Sequence, residues 1–274
     1  MSYLEVEQLS VTFGSGANAL KAVDDISFTL ERGEILALVG ESGSGKSMTS
    51  LSVMRLLPPA ARVTGRILID GTDTSALGRR ELEDIRGSRV GMVFQEPMTS
   101  LNPVLTIRRQ ITEGLRRHRH IGRAAADEVA IACLSEVGIA DPKALMRQYP
   151  HQLSGGLRQR VAIASALTLK PGLLIADEPT TALDVTVQAQ VLDLLIDLKQ
   201  RFNSGILLIT HDIGVVAETA DRVAVMRHGR IVEIGSAEQV LRRPEHEYTR
   251  SLLSSHMTVE QALSARAAWM EDRA

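Results

Sequence analysis

The chain opens with short stretches in which hydrophobic and polar positions alternate, the period that is typical of half-buried antiparallel strands. Such stretches, together with apolar runs bounded by turn residues, predict strands at residues 4–13, 25–30, 35–39, 66–70 and 89–95. Residues 48–57 can form a helix, which Pro58 and Pro59 would end. The first third of the chain is therefore predicted to be mainly β-structure.

The periodicity changes after Pro97. From there to about Tyr149, apolar residues recur at helical spacing among many charges, as at Ile107, Ile111 and Leu115. This spacing predicts an inserted helical lobe. Beyond the lobe, strands and helices alternate as in a parallel α/β sheet, at residues 173–176, 187–202, 205–210, 213–220 and 222–227.

These patterns divide one α/β fold into four parts. We expect a β subdomain with the first part of the core at residues 1–96, and a helical subdomain at 97–170. The remainder of the core is expected at 171–235 and a short helical tail at 236–274, with two short helices from Pro244 onward.

Composition and charge are those of an ordinary globular protein and argue against a nucleic-acid partner. The 274 residues are 44% hydrophobic and 23% charged, which is ordinary for a globular protein. A net charge of −2 argues against a nucleic-acid partner bound through its phosphates. The basic run Arg116-Arg117-His118-Arg119-His120 is interpreted as a solvated helix end.

The lone cysteine and the absence of long apolar runs bear on the compartment. Cys133 cannot form an internal disulfide, so we expect a small core residue in a reducing compartment. Residues 1–10 lack the features of a secretory signal, and no run approaches the roughly 18 apolar residues that span a bilayer. We therefore expect a soluble protein, or one held at a membrane through partners.

A glycine-rich turn stands between the apolar run at residues 35–39 and the helix after it. The turn reads Gly40-Glu41-Ser42-Gly43-Ser44-Gly45-Lys46-Ser47. Glycines allow backbone N–H groups to turn inward around phosphate oxygens, and the helix start favours negative charge at the same place. Lys46 can then reach the β- and γ-phosphates of a nucleotide, and the Ser47 hydroxyl can bind Mg²⁺. The alternative is a Gly/Ser-rich loop that matches by accident.

Two acids end the apolar strand predicted at residues 173–176. At the carboxyl edge of a parallel sheet they would face a nucleotide crevice. Asp177 is placed to hold Mg²⁺, and Glu178 is placed to polarise the attacking water. The alternative is a strand followed by a polar turn.

A second candidate anion-binding helix start lies at residues 153–160, Leu153-Ser154-Gly155-Gly156-Leu157-Arg158-Gln159-Arg160. Ser154 is a good N-cap, and the glycines expose backbone N–H groups. A structural cap alone would explain Ser154. It would not explain Gly155 and Gly156, because adjacent glycines destabilise a helix unless something approaches the backbone closely.

Residues 153–160 resemble the signature motif of ATP-binding cassette (ABC) ATPases, and further motifs of this family follow the expected order. Gln95 resembles its Q-loop glutamine, residues 182–184 its D-loop and His211 its switch histidine, although a lone histidine at a strand end is more often structural. Phe13 resembles the aromatic residue that stacks on adenine, or is a core residue. Residues 95–103 and 176–190 further resemble the ATPases of dipeptide, oligopeptide and nickel importers.

The resemblance implies a P-loop NTPase fold with a RecA-like core, an N-terminal antiparallel β subdomain and an inserted α-helical subdomain. It also implies ATP and Mg²⁺ as ligands. Phosphates would bind residues 40–47, and Ser154, Gly155 and Gly156 would cap the nucleotide of a partner in a head-to-tail dimer. Mg²⁺ or its waters would be held by Ser47, Gln95 and Asp177. The catalytic residues would be Glu178 as general base, His211 and Gln95.

The implied function is ATP hydrolysis coupled to import. Partners would be a second ATPase subunit of different sequence, two integral membrane permeases and a periplasmic or extracellular substrate-binding protein, with no nucleic acid. The chain would be peripheral, at the cytoplasmic face of the inner membrane, with residues 96–102 docked on a permease. A soluble ABC ATPase acting on ribosomes or DNA, and an exporter cassette, remain as alternatives.

The cargo is inferred from the tail alone. Many peptide-importer ATPases carry a cysteine-bearing extension, and this chain has no cysteine beyond Cys133. Residues 248–256 look more similar to the short ending of nickel-importer ATPases. This favours nickel, or a nickel chelate, over di- or oligopeptides.

Overall fold

The computed structural model describes residues 2–16, 19–95, 101–181 and 183–254. These residues form two compact units, the first within residues 1–77 and 205–274 and the second within residues 78–204.

An antiparallel sheet forms one part of the first unit. Its strands are β1 (Leu4–Phe13), β2 (Leu20–Leu30), β4 (Ala61–Ile69) and β5 (Thr72–Asp73), in the order β2-β1-β4-β5. Leu4 of β1 lies opposite Leu30 on one side and Ile69 on the other, and all three side chains are buried. The alternation in the sequence therefore places one face of these strands in the core.

The other strands of the first unit form a sheet around a buried central strand, β3 (Ile35–Val39). On either side, β3 pairs in parallel with β8 (Gly205–Thr210) and β9 (Arg222–Arg227), and β9 pairs antiparallel with β10 (Arg230–Ser236). Every residue of β3 and β8 is buried. Continuous apolar runs of this kind are typical of parallel strands covered on both faces.

Short helices complete the first unit. They are α1 (Lys46–Val53), α8 (Ile213–Thr219), α9 (Ala237–Arg242) and α10 (Glu247–Ser254). Asp212 caps α8, since its carboxylate accepts the N–H groups of Gly214 and Val215 at 2.8 and 3.3 Å. Ser236 caps α9 in the same way, through the N–H group of Gln239.

The second unit is mainly helical, with one parallel strand pair. Its helices are α2 (Arg79–Ile85), α3 (Ile107–Arg119), α4 (Arg123–Glu136), α5 (Pro142–Leu145), α6 (Gly155–Leu167) and α7 (Val185–Phe202). Its strands β6 (Val90–Val93) and β7 (Leu173–Asp177) pair in parallel. The predicted helical spacing is confirmed, because Ile107, Ile111 and Leu115 of α3 are fully buried.

An ion pair joins α3 to α4 within the second unit. The Arg108 guanidinium donates two hydrogen bonds to the Asp127 carboxylate. These hydrogen bonds hold the pKa of Asp127 below its ordinary value. The contact fixes the two helices at the polar edge of their apolar interface.

Most predicted strands and helices are present, with shifted ends. The strand expected at residues 89–95 covers only Val90–Val93, and the helix expected at 48–57 is Lys46–Val53. Three elements, α2, β5 and β10, were not predicted. Of the two tail helices expected from Pro244 onward, α10 is present, and residues 255–274 lie outside the described part of the chain. In the described part, none of the helices combines the length and apolar character that a membrane span requires.

Candidate nucleotide-binding site

The glycine-rich turn of the first unit leaves β3 at Gly40 and enters α1 at Lys46. Gly40, Gly43 and Gly45 have φ angles of 150°, 78° and 108°, values that side chains disfavour. A Cβ atom on Gly40 would clash with the carbonyl oxygen of Met226. The turn therefore requires glycine both for its backbone angles and for its close approach to β9.

The ammonium group of Lys46 lies inside this turn. Its Nζ donates hydrogen bonds to the carbonyl oxygens of Gly40 at 2.7 Å and Glu41 at 2.9 Å, with the Ser44 hydroxyl at 3.4 Å. The Lys46 side chain is only 6% exposed. A buried positive charge inside a glycine-rich turn at the start of a helix favours binding of a phosphate group.

Two contacts outside the turn hold it in the first unit. The N–H group of Gly229, between β9 and β10, donates to the Ser44 carbonyl at 2.9 Å. The N–H group of Glu41 donates to the Tyr248 hydroxyl of α10 at 3.3 Å. Neither partner could be predicted from the sequence, because both are distant from the turn in the chain and carry no recognisable motif.

His211 lies at the same sheet edge as the glycine-rich turn at residues 40–47, which is the predicted phosphate loop. In the parallel pair of β3 and β8, Val39 is opposite Thr210, so Gly40 and His211 both follow the last paired residues of their strands. The His211 side chain is exposed. The predicted switch histidine therefore lies beside the phosphate loop within the first unit.

The predicted acid pair of the second unit stands at the carboxyl end of β7. Asp177 is its last residue and is 5% exposed. Glu178 follows with a left-handed φ of 46°, and its carboxylate oxygen Oε2 accepts hydrogen bonds from Gln95 Nε2 and Thr181 Oγ1, both at 2.9 Å. A non-glycine residue in this conformation is often found at functional sites. The structure thereby brings together the predicted Gln95 and Glu178, and adds Thr181.

The predicted second anion-binding start is the N-terminus of α6. Ser154 is the N-cap, and its Oγ accepts the N–H group of Leu157 at 3.3 Å. Ser154 and Gly155 are exposed. At Gly156 an added Cβ would lie 2.8 Å from Val187 Cγ1, so α7 packs closely against this glycine. This packing explains why residue 156 is a glycine. Ser154 and Gly155, in contrast, face solvent.

The remaining predicted residues lie elsewhere or outside the described chain. Phe13 ends β1 opposite Leu20 and Ala61 and is half-buried. Ala182 of the predicted D-loop, and Glu96 to Ser100 of the predicted docking segment, lie outside the described residues. Within the described ranges there is no cluster of three or more His, Cys, Asp or Glu side chains suited to a metal ion. Nucleotide-bound Mg²⁺ needs fewer, since phosphates and waters fill the other positions.

Comparison with known proteins identifies the family. The family described as ABC transporter matches residues 23–181. The match includes the phosphate loop, Gln95, the start of α6 and the acid pair. The chain belongs to the ABC transporter family. Phe13 and His211 lie outside the matched range.

Two relatives show which kind of ABC transporter protein this chain is similar to. It is 49% identical over 259 residues to the oligopeptide transport ATP-binding protein OppD of Bacillus subtilis, covering 94% of this chain and 72% of the relative. It is 55% identical over 254 residues to the peptidoglycan transport ATP-binding protein YejF of Agrobacterium fabrum, covering 92% of this chain but only 46% of that relative. The predicted resemblance to ATP-binding proteins of oligopeptide and dipeptide transport is confirmed.

A solved structure supports the fold. The dimeric post-hydrolysis state of the ATP-binding cassette MJ0796, bound to ADP and phosphate, is similar with a TM-score of 0.76 and 28% identity, covering 85% of this chain and 98% of that one. The predicted fold class of this ABC chain, an ABC ATPase domain, is confirmed.

Proposed function

We propose that this chain is the ATP-hydrolysing subunit of an ABC importer and that its complex takes up peptides. The observation that carries the proposal is the buried Lys46 ammonium inside a glycine loop that begins a helix. Family membership supports ATP as the nucleotide.

Binding of the phosphates is assigned to the first unit. The loop N–H groups and Lys46 would take the phosphate charge, while Phe13 would stack on the adenine. Lys46 now donates to loop carbonyls of Gly40 and Glu41, so on binding it would exchange these acceptors for phosphate oxygens. When bound, Mg²⁺ would neutralise charge on the β- and γ-phosphates, and Ser47, Gln95 and Asp177 would hold it or its waters.

Hydrolysis is assigned to Glu178 as general base. Its carboxylate would accept the proton of the water that attacks the γ-phosphate. Gln95 and Thr181 donate hydrogen bonds to one oxygen of this carboxylate, and these donors would orient the base toward the water. His211 would contact the γ-phosphate and hold the water in line.

Ser154 is assigned to the nucleotide of a second ATPase subunit, with Gly155 and Gly156. The exposed helix start supports this role, because an outward-facing cap can approach a ligand on another chain. The similar cassette MJ0796 is described as dimeric. Closing on ATP and opening after hydrolysis would then drive the transport cycle, since only the closed state contacts both sides of the nucleotide.

The proposed complex contains a second, different ATPase chain, two integral permeases and a substrate-binding protein outside the membrane. We place this chain at the cytoplasmic face of the inner membrane, held through residues 96–102. Purification of the tagged chain from membranes should recover integral permeases. Recovery of ribosomal proteins or DNA in their place would contradict an importer.

The cargo proposal follows the relatives, which are named for oligopeptide and peptidoglycan transport. Peptide bonds are common to both of these cargoes. The prediction of nickel uptake, in contrast, depends only on the sequence of the C-terminal tail. A gene-deletion strain should lose uptake of a radiolabelled tripeptide, and the wild-type gene should restore it where a Lys46→Ala gene does not. Loss of nickel uptake with normal peptide uptake would reverse the cargo assignment and leave the ATPase assignment intact.

A further inference from the structure

The C-terminal helix α10 contacts the phosphate loop through one hydroxyl group. Tyr248 accepts the Glu41 N–H group at 3.3 Å, and the carbonyl of the same Glu41 accepts a hydrogen bond from Lys46 Nζ at 2.9 Å. The backbone of Glu41 is thus held at both ends. Tyr248 fixes the residue on which the phosphate-binding ammonium rests.

The Tyr248 ring is itself held firmly. The side chain is 6% exposed, and the Arg227 guanidinium lies 4.7 Å from the ring centroid. Arg227 ends β9, the strand whose Met226 carbonyl lies against Gly40. The tyrosine is therefore packed between α10 and the strand that supports the loop, where it has little freedom to move.

The start of α10 is anchored to the same sheet. The Glu233 carboxylate of β10 accepts the N–H groups of Glu245 at 2.8 Å and His246 at 3.1 Å. The His246 Nδ1 accepts the N–H group of Tyr248 at 3.1 Å, in the manner of a helix cap. Burial alone would raise the pKa of Glu233, but the hydrogen bonds it accepts lower that pKa below its ordinary value. The carboxylate therefore stays charged and keeps α10 in place at neutral pH.

We propose that Tyr248 is a positioning residue of the phosphate loop, and that through it nucleotide binding and the docking of α10 strengthen each other. Packing alone would need only the aromatic ring. The hydroxyl is the group that contacts the loop backbone. Its removal should therefore change the position of the Glu41 carbonyl, which accepts a hydrogen bond from Lys46. The affinity part of this inference rests on the proposed nucleotide site, whereas the contact with Glu41 does not.

Tyr248→Phe tests the inference, and Tyr3→Phe is a matched control. Tyr3 is also buried, at 3% exposure, beneath an arginine, with the Arg32 guanidinium 4.2 Å from its ring centroid. Its N–H group donates to the Leu30 carbonyl of β2, and its carbonyl accepts the N–H group of Asp70, between β4 and β5. Both substitutions remove one buried hydroxyl and keep the ring. Thermal unfolding should show that both variants fold.

The first measurement is hydrogen exchange of the Glu41 amide in nucleotide-free protein, resolved by NMR. We expect protection in the wild type and in Tyr3→Phe, and exchange at least about tenfold faster in Tyr248→Phe because the acceptor is gone. Equal Glu41 exchange in the wild type and Tyr248→Phe would overturn the inference. Because no nucleotide is present, this result does not depend on the proposed function.

The second measurement is the Kd for a fluorescent ATP analogue. Tyr248→Phe should raise it about two- to tenfold, as expected for the loss of one uncharged hydrogen bond, and Tyr3→Phe should leave it unchanged. Reciprocally, saturating ADP should slow amide exchange in α10 of the wild type more than in Tyr248→Phe. An unchanged Kd in Tyr248→Phe would overturn the inference, while absence of ATP binding by the wild type would contradict the proposed function.

Discussion

The side-chain amide of Gln95 donates a hydrogen bond of 2.9 Å to the Glu178 carboxylate. The Thr181 hydroxyl donates to the same oxygen, also at 2.9 Å. Two donors on one oxygen restrict the orientation of the carboxylate before any substrate arrives. Orientation of this kind is what a general base requires, because proton transfer needs a defined line between water and carboxylate.

Removing either donor should slow hydrolysis without preventing nucleotide binding. Gln95→Leu and Thr181→Val keep side-chain volume and delete one hydrogen bond each. We expect kcat to fall about tenfold for either, since a hydrogen bond to a charged group contributes roughly 1.5–3 kcal/mol and partial exposure reduces this. Phosphate release by the purified complex measures the effect. A wild-type kcat in both variants would show that the carboxylate needs no such support.

Lys46→Ala should abolish binding of ATP. The side chain supplies the buried positive charge of the phosphate loop, and charge-assisted hydrogen bonds to phosphate are among the strongest that proteins make. We expect the Kd for a fluorescent ATP analogue to rise by about 100-fold or more. Lys143→Ala, at an exposed position in α5, is the control and should bind normally. An unaltered Kd in Lys46→Ala would contradict the assignment of Lys46 to phosphate binding.

Ser154→Arg should separate binding from turnover. Ser154 is exposed at the start of α6, and its proposed ligand is the nucleotide on another chain. The isolated variant should therefore bind ATP with the wild-type Kd, while the assembled complex should lose hydrolysis. If the isolated variant loses ATP affinity as severely as Lys46→Ala, the serine acts on its own chain and the dimer arrangement is wrong.

Cys133 should be chemically silent in the native protein. Burial raises the pKa of its thiol to about 11, so at pH 8 the group is protonated and shielded. Ellman's reagent should react within seconds in guanidinium chloride and far more slowly without it. Rapid labelling of the native chain would place the thiol at the surface.

The same shift gives a dependence of stability on pH. Because the folded pKa lies above the ordinary value, the contribution of Cys133 to stability is complete below about pH 9 and is lost as the pH rises towards 11. A Cys133→Ala variant should show a smaller fall in the free energy of unfolding over that interval. Identical pH profiles would contradict the assignment.

The elements that carry the phosphate loop could be predicted from sequence because their signals are local. The buried runs of β3, β7 and β8 are continuous and apolar, and the glycines of residues 40–45 mark a turn that a side chain would obstruct. In α6 the cap and the first residues stand next to each other in the chain. Each of these features is contained within about ten residues.

Other features could not be predicted because their causes are distant or weak. Ile85 is the only buried residue of the seven in α2, so the sequence of this helix shows no apolar face. The strand β10 is half-exposed and pairs only with β9 among the described strands. The hydrogen bond from Glu41 to Tyr248 joins residues 207 positions apart. Contacts of this kind arise from the fold as a whole.

We infer that this chain hydrolyses ATP with Glu178 as the general base, and the Glu178→Gln variant tests this role. Glutamine keeps the size of the side chain and its capacity to accept from Gln95 and Thr181, but it cannot take a proton from water. The measurement is phosphate release by the purified complex, with the Kd for ATP determined on the same preparation. We predict a fall in kcat of at least about 100-fold with an unchanged Kd. Turnover near the wild-type rate in Glu178→Gln would contradict it.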